Sequence, residues 1–147
     1  MSGIACPICA RQARSGEYIY VSDHWVLRHS SETDILGYLV LESSRHILDM
    51  SEASADECAS LGQVMKLAVG AIRASVDCER VYSVTLAEVV PHFHVHLIPR
   101  TPSLPRAYRG RGVLAYPLLP AADPALVEST CERLRAAIRR LSPALPA

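Results

Sequence analysis

Charge of one sign is not in excess in this chain: Lys and Arg total 15, and Asp and Glu also total 15. No global field therefore draws it to DNA, RNA or an anionic membrane. No apolar run approaches the ~18 residues that a membrane span requires. The first residues, Met1-Ser2-Gly3-Ile4-Ala5-Cys6, carry neither a basic start nor an apolar secretion core, so a cytoplasmic protein is expected. Internal repeats, linkers and low-complexity blocks are missing too. Only Ser142 to Ala147 reads as a frayed tail, which leaves one domain over residues 1–141. The cysteine count is five, and an odd number without an export signal argues against a disulfide framework. Cys58, Cys78 and Cys131 stand alone and read as small buried apolar residues.

Half of the residues are apolar, enough for a globular core. Glu17 to Val21 and Trp25 to His29 read as two strands around a turn at Ser22-Asp23. Leu36 to Leu41, headed by Gly37, reads as a central strand. Ser54-Ala55-Asp56-Glu57 is a capping-box sequence. Beyond it, Leu61, Val64, Met65, Ala68, Ile72 and Val76 recur at helical spacing. Arg80 to Ala87 is strand-like, and a short turn near Glu88–Pro91 leads into a second strand ending at Pro99, so the two form an antiparallel hairpin. Thr101 to Gly112 reads as a loop whose Arg106, Arg109 and Arg111 face solvent. Asp123-Pro124 starts a final helix, with Leu126, Leu134, Ile138 and Leu141 on its apolar side. Few connections are long enough for parallel crossovers, so the class is α+β with an antiparallel sheet and helices packed on it.

The most informative segment is Pro91-His92-Phe93-His94-Val95-His96-Leu97-Ile98, which holds three of the six histidines at alternate positions. On an extended strand His92, His94, His96 and Ile98 share one face, and Phe93, Val95 and Leu97 point into the core. Neighbouring imidazoles then lie roughly 7 Å apart. That spacing suits three separate jobs better than one three-histidine metal cluster.

A second feature lies at the N-terminus. Cys6-Pro7-Ile8-Cys9 puts two thiolates on a tight turn, as in a zinc knuckle. The redox form of Cys-x-x-Cys normally opens a helix in a parallel fold, a context missing here. No second Cys-x-x-Cys follows, so histidines must complete a tetrahedral site. His46, in Ser44-Arg45-His46-Ile47, and His92 are the candidates, giving a closed structural zinc shell of Cys6, Cys9, His46 and His92. His24 and His29 are poorer ones.

His92-Phe93-His94-Val95-His96-Leu97-Ile98 resembles the signature of the histidine triad (HIT) superfamily of nucleotide hydrolases and transferases, and the following Pro99-Arg100 is also typical. The resemblance runs from Cys6 to about Arg100. It is to the branch with an N-terminal Cys-x-x-Cys and a structural zinc, and Gly37, Arg45-His46 and the helix from Ser54 fall in the expected order. It implies a HIT-like fold with a five-stranded antiparallel sheet, one long central helix and a C-terminal helix, and a homodimer. A purine nucleotide pocket at the sheet edge is also implied, with nucleoside phosphoramidates, adenylates or dinucleoside polyphosphates as substrates. His94 is then the nucleophile that takes the α-phosphorus and forms a nucleotidyl-imidazole. Its Nδ1–H should donate to a backbone carbonyl, leaving Nε2 free. His96 binds phosphate oxygens and assists the leaving group, and His92 belongs to zinc.

The chain also departs from that pattern. Ser30 stands where the family places a ribose-binding Asp, and Arg28 or His29 replaces an apolar residue of the base pocket. Thr85-Leu86-Ala87-Glu88-Val89-Val90-Pro91 is shorter than the usual phosphate-cradling segment, lacks its hydroxyl, and brings in Glu88. That carboxylate either faces solvent in the turn or orients a triad histidine. The alternative function is a binding or sensing module with the same zinc site and no turnover.

Overall fold

The computed structural model describes residues 5–14, 16–117 and 120–142, so the expected tail beyond Ser142 lies outside the described residues. The elements in chain order are α1 (Pro7–Gln12), β1 (Tyr20–Val21), β2 (Trp25–His29), β3 (Leu39–Ser43), α2 (Ala55–Ser75), β4 (Arg80–Val84), β5 (His94–Arg100) and α3 (Pro124–Leu141). The five strands form one antiparallel sheet in the order β1-β2-β3-β5-β4. The α+β class and the five-stranded sheet are as expected.

Register puts the histidine strand beside the centre of the sheet. Val95 faces Leu41 and Leu97 faces Leu39 on β3, while His96 faces Val40 on one side and Val84 on the other. The odd residues of β5 join Phe93, Trp25, Leu27, Leu39 and Leu41 in the main core. This core is covered by the Val64, Ala68, Ala71 and Ile72 stripe of α2 and by Cys131, Leu134, Ala137 and Ile138 of α3. Trp25 packs edge-on to Phe93 at 5.9 Å and donates its indole N–H to Ser60 Oγ at 2.9 Å. The opposite face of the sheet carries the even residues of β5. Its far end holds a smaller cluster of Ile35, Ile98, Leu104 and Val113 with four half-buried tyrosines.

Several details depart from expectation, among them β1, which covers Tyr20–Val21 rather than Glu17 to Val21, and β4, which ends at Val84 rather than Ala87. β3 runs from Leu39 to Ser43 rather than from Leu36 to Leu41: Gly37 sits at φ +83° in the turn before it, and the strand continues through a buried Glu42 that a hydropathy reading treats as its end. β5 starts at His94 and passes through Pro99. Ser43 N–H donates to Phe93 O, so odd β5 residues bond toward β3; at Pro99 β3 has already ended, and the missing N–H costs no ladder bond. The β4–β5 connection spans residues 85–93, longer than the expected turn. Cys58 is exposed rather than buried, one position off the inward Glu57, and Leu126 and Leu141 are exposed on α3. The capping box is as expected: Ser54 Oγ accepts from Glu57 N, and Glu57 Oε2 accepts from Ser54 N.

Candidate active site and metal centre

Cys6 and Cys9 lie not on a bare turn but at the start of α1, where Cys6 is the N-cap and its sulfur accepts from Cys9 N at 3.5 Å. Pro7 follows in the first turn, where its fixed φ suits a helix start. No parallel strand–helix–strand unit surrounds this helix; β1 and β2 follow it as an antiparallel pair. The first turn aims both sulfurs at the sheet. Cys6 Sγ lies 3.4 Å from His92 Nδ1, and Cys9 Sγ lies 3.5 Å from the same nitrogen and 3.4 Å from His46 Nδ1. All four donor atoms fall within 4.8 Å of one another. A tetrahedral ion with bonds of ~2.3 Å to sulfur and ~2.0 Å to nitrogen has edges of roughly 3.3–3.8 Å, so the set fits one metal. Burial and the neighbouring Cys6 push the Cys9 thiol above its ordinary value, an effect that a bound cation reverses.

The outer contacts hold the two imidazoles. His92 is fully buried, and its Nε2–H donates to Ser43 O at 2.8 Å, leaving Nδ1 as the ligating lone pair. His46 hangs on a loop anchored by its neighbour Arg45, which makes a forked pair with Glu57 (Nε to Oε1 3.0 Å, Nη2 to Oε2 2.8 Å). The same hydrogen bonds hold the Glu57 carboxyl down at about 2.

One residue along the triad face, His94 is nearly buried. Its Nδ1–H donates to His92 O at 2.6 Å, so Nε2 carries the free lone pair. Thr85 Oγ1 donates to the carbonyl of His94 itself at 2.7 Å. The rings of His94 and His96 meet edge to face at 4.9 Å, closer than the spacing along the strand suggests, because the side chains lean together. His96 Nδ1 lies 2.8 Å from Tyr38 Oη. Burial, then His94 and Arg28, lower the His96 imidazole to about 4, so it is neutral at pH 7. Burial raises the Tyr38 phenol to about 12, so it stays protonated. A phenol O–H is a stronger acid than a neutral imidazole N–H, so the favoured arrangement has Tyr38 donating to Nδ1 and the His96 proton on Nε2.

A buried carboxylate completes this face. Glu42, opposite His94 on β3, is fully buried and accepts from Arg28 Nε at 2.6 Å, Arg11 Nη2 at 2.5 Å and Gln12 Nε2 at 3.3 Å. Two arginines offset the cost of burying its charge. Since Arg11 and Gln12 belong to α1, the network also fastens that helix to β3, the triad strand's neighbour.

The remaining expected site residues are placed as follows. Ser30 is buried just past β2, and its Oγ accepts from Glu32 N at 3.4 Å. Glu88 is exposed in the β4–β5 loop, the solvent-facing alternative. His29 is structural: Nδ1–H donates to Ser30 O at 2.7 Å, and Nε2 accepts from Gly37 N at 2.9 Å. Tyr38, Glu42 and Thr85 were not picked out from the sequence. The signal for the first two was parity, since Tyr38 just before β3 alternates with Val40 and Glu42 on it. A groove between β1, α2 and α3 lies elsewhere and includes no triad residue.

Comparisons with known proteins agree with this geometry. The model of the HIT domain matches residues 12–103. No functionally curated protein matches. Among solved structures, a hypothetical histidine triad nucleotide-binding protein from Sulfolobus tokodaii has a TM-score of 0.75 at 22% identity, over 92% of this chain and 93% of that one. A Zn-bound histidine triad family protein from Mycobacterium smegmatis has a TM-score of 0.69 at 20% identity, covering 93% and 95%. A Hit-like protein involved in cell-cycle regulation from Bartonella henselae has a TM-score of 0.67 at 14% identity, covering 86% and 90%. At these identities the structural likeness speaks for the fold alone, but the match of the family model over more than half of the chain decides the matter: this chain belongs to the HIT family.

Proposed function

We propose that the protein is a zinc-stabilised nucleotide phosphohydrolase or nucleotidyl transferase that works at the α-phosphate through a covalent nucleotidyl-His94. The observation that carries the reading is the pair of contacts on β5: His94 Nδ1 on a backbone carbonyl, which frees its Nε2, and the His96 ring edge to face beside it with Nδ1 on the Tyr38 hydroxyl. The His94 nitrogen attacks the α-phosphorus of a phosphoramidate, adenylate or dinucleoside polyphosphate, and the bond to the leaving group breaks. His96 donates to the phosphate oxygens and eases the leaving group's departure. Water or another acceptor then takes the nucleotidyl group and restores His94. The reading assigns Ser30 to the ribose and leaves Glu88 at the solvent side of the loop.

Zinc in the Cys6, Cys9, His46 and His92 shell supplies structure rather than chemistry, holding β5 and the N-terminal helix in register. The site's rigidity is what the attack geometry demands. A homodimer belongs to the same reading, and sedimentation velocity at micromolar concentration should give twice the chain mass.

The test is turnover of a fluorogenic adenosine phosphoramidate and of diadenosine tetraphosphate. The proposal expects at least one to be hydrolysed, and that activity to vanish in His94→Ala. Tight nucleotide binding without turnover, unchanged in His94→Ala, would establish the binding-module alternative instead.

A further inference from the structure

The Glu42 network holds more cation than it needs. One fully buried carboxylate receives two guanidinium groups, Arg28 and Arg11. Arg28 spends only its Nε on Glu42, and among the described residues its two terminal nitrogens meet no acceptor. Its side chain is 20% exposed, so those nitrogens are open to solvent while the stem is held.

Register fixes where they lie. Arg28 faces Val40, and Val40 faces His96, so the three side chains stand in one row on the triad face. Two strand spacings separate the Arg28 and His96 backbones by roughly 10 Å, within reach of an extended arginine over the short Val40 side chain. The charge of Arg28 is already felt at His96, where it lowers the proton affinity of the ring. Beyond His96 the row ends at Val84, and the next residues toward the sheet end are Tyr38 and Ile98. Arg28 is thus a cation that shares one carboxylate with Arg11 and keeps its terminal nitrogens free, on the β2 side of the triad face two strands from His96. A guanidinium in this setting matches a phosphate oxyanion with two parallel N–H donors. A phosphate adds a full negative charge to that geometry, which a base or an unmodified ribose does not.

We infer that Arg28 is a specificity-determining residue that binds a second phosphate of the substrate, separate from the phosphate that His94 attacks. The inference rests on the nucleotide reading of the triad, but it concerns which nucleotides are taken rather than whether they are turned over. Two sources share this chemistry: a phosphate ester on the ribose, and the next phosphate of a polyphosphate chain. An arginine near the ribose accommodates a ribose phosphate in other nucleotide sites, and here the usual ribose-binding carboxylate is replaced by the neutral Ser30.

Calorimetric binding of adenosine 5′-monophosphate, adenosine 2′,5′-bisphosphate, adenosine 3′,5′-bisphosphate and adenosine 5′-diphosphate separates the cases. The wild-type protein should bind at least one of the three two-phosphate ligands about 10-fold more tightly than the monophosphate, as expected for a charge-assisted forked contact. A winning ribose bisphosphate identifies the first source, and a winning 5′-diphosphate the second. In Arg28→Met the ratio to the monophosphate should collapse to near one. Arg28→Lys keeps the charge and a partner for Glu42, should fold in any case, and should show an intermediate ratio. No preference in the wild type, or a preference that survives undiminished in both variants, overturns the inference. Because binding is read directly, a protein that shows the preference yet turns nothing over refutes the catalytic proposal and leaves this one standing.

Discussion

Four histidines in this protein have their protons placed by specific neighbours, and their roles diverge as a result. Ser43 O takes the Nε2–H of His92 and turns Nδ1 to the cysteines; His92 O takes the Nδ1–H of His94 and frees its Nε2. Tyr38 donates to His96 Nδ1, and Gly37 N–H with Ser30 O fixes His29. Removing the Tyr38 hydroxyl should release His96 without emptying the pocket. Tyr38→Phe is expected to lower kcat by about 2- to 10-fold, the worth of one net hydrogen bond, with KM little changed in steady-state assays. Burial lowers the proton affinity of both His29 and His96, the latter to about 4. A lowered folded-state value means that the unfolded chain binds protons first as pH falls. The stability from these neutral rings is therefore full above about 6.5 and is lost as pH drops toward 4. Urea unfolding should show a smaller free energy at pH 4.5 than at pH 7.5, and the His96 ring should titrate in NMR near 4.

At the scale of elements, the turns before the two central strands carry the conformational strain. Gly37 has φ +83°, and a methyl group there would meet Val76 Cγ1 and Cγ2 at 3.1 Å. Gly37→Ala should cost about 1–2 kcal/mol from the left-handed backbone alone, read as a lower denaturation midpoint. Ala87 occupies φ +50° without being glycine, in the loop that delivers His92, so Ala87→Gly is expected to be neutral or stabilising in the same measurement. Elements with a strong local signal were legible in the sequence: α2 from its Ser54–Glu57 box, α3 from Asp123-Pro124, and β5 from its alternation. Strand ends were not, because their limits are set by partners. A polar Glu42 extends β3 only because Arg11 and Arg28 reach it, and Pro99 sits inside β5 only because β3 stops first. The same holds for the site. The ligand set and the triad lay in spaced motifs, whereas Tyr38, Thr85 and the Glu42 network depend on which strands become neighbours.

Across the whole molecule, the N-terminal helix closes on the sheet through the Cys6, Cys9, His46, His92 cluster and through the bonds of Arg11 and Gln12 to Glu42 and Ser43. The main core of α2, α3 and the sheet lies on the other face and owes nothing to either. Zinc removal by a strong chelator should therefore leave far-UV circular dichroism nearly unchanged while hydrogen exchange rises over residues 5–14 and around His92. Elemental analysis of protein purified without chelator should return one zinc per chain. No helix among the described residues is long and apolar enough to cross a membrane, consistent with the balanced charge and apolar patterning of the chain. The most direct test of the central claim is mass spectrometry of protein mixed with adenosine 5′-phosphoramidate and quenched within one turnover. The account predicts one adenylyl group on the peptide that carries His94, absent in His94→Ala; hydrolysis that continues in His94→Ala, with no adduct on the wild-type protein, would contradict it.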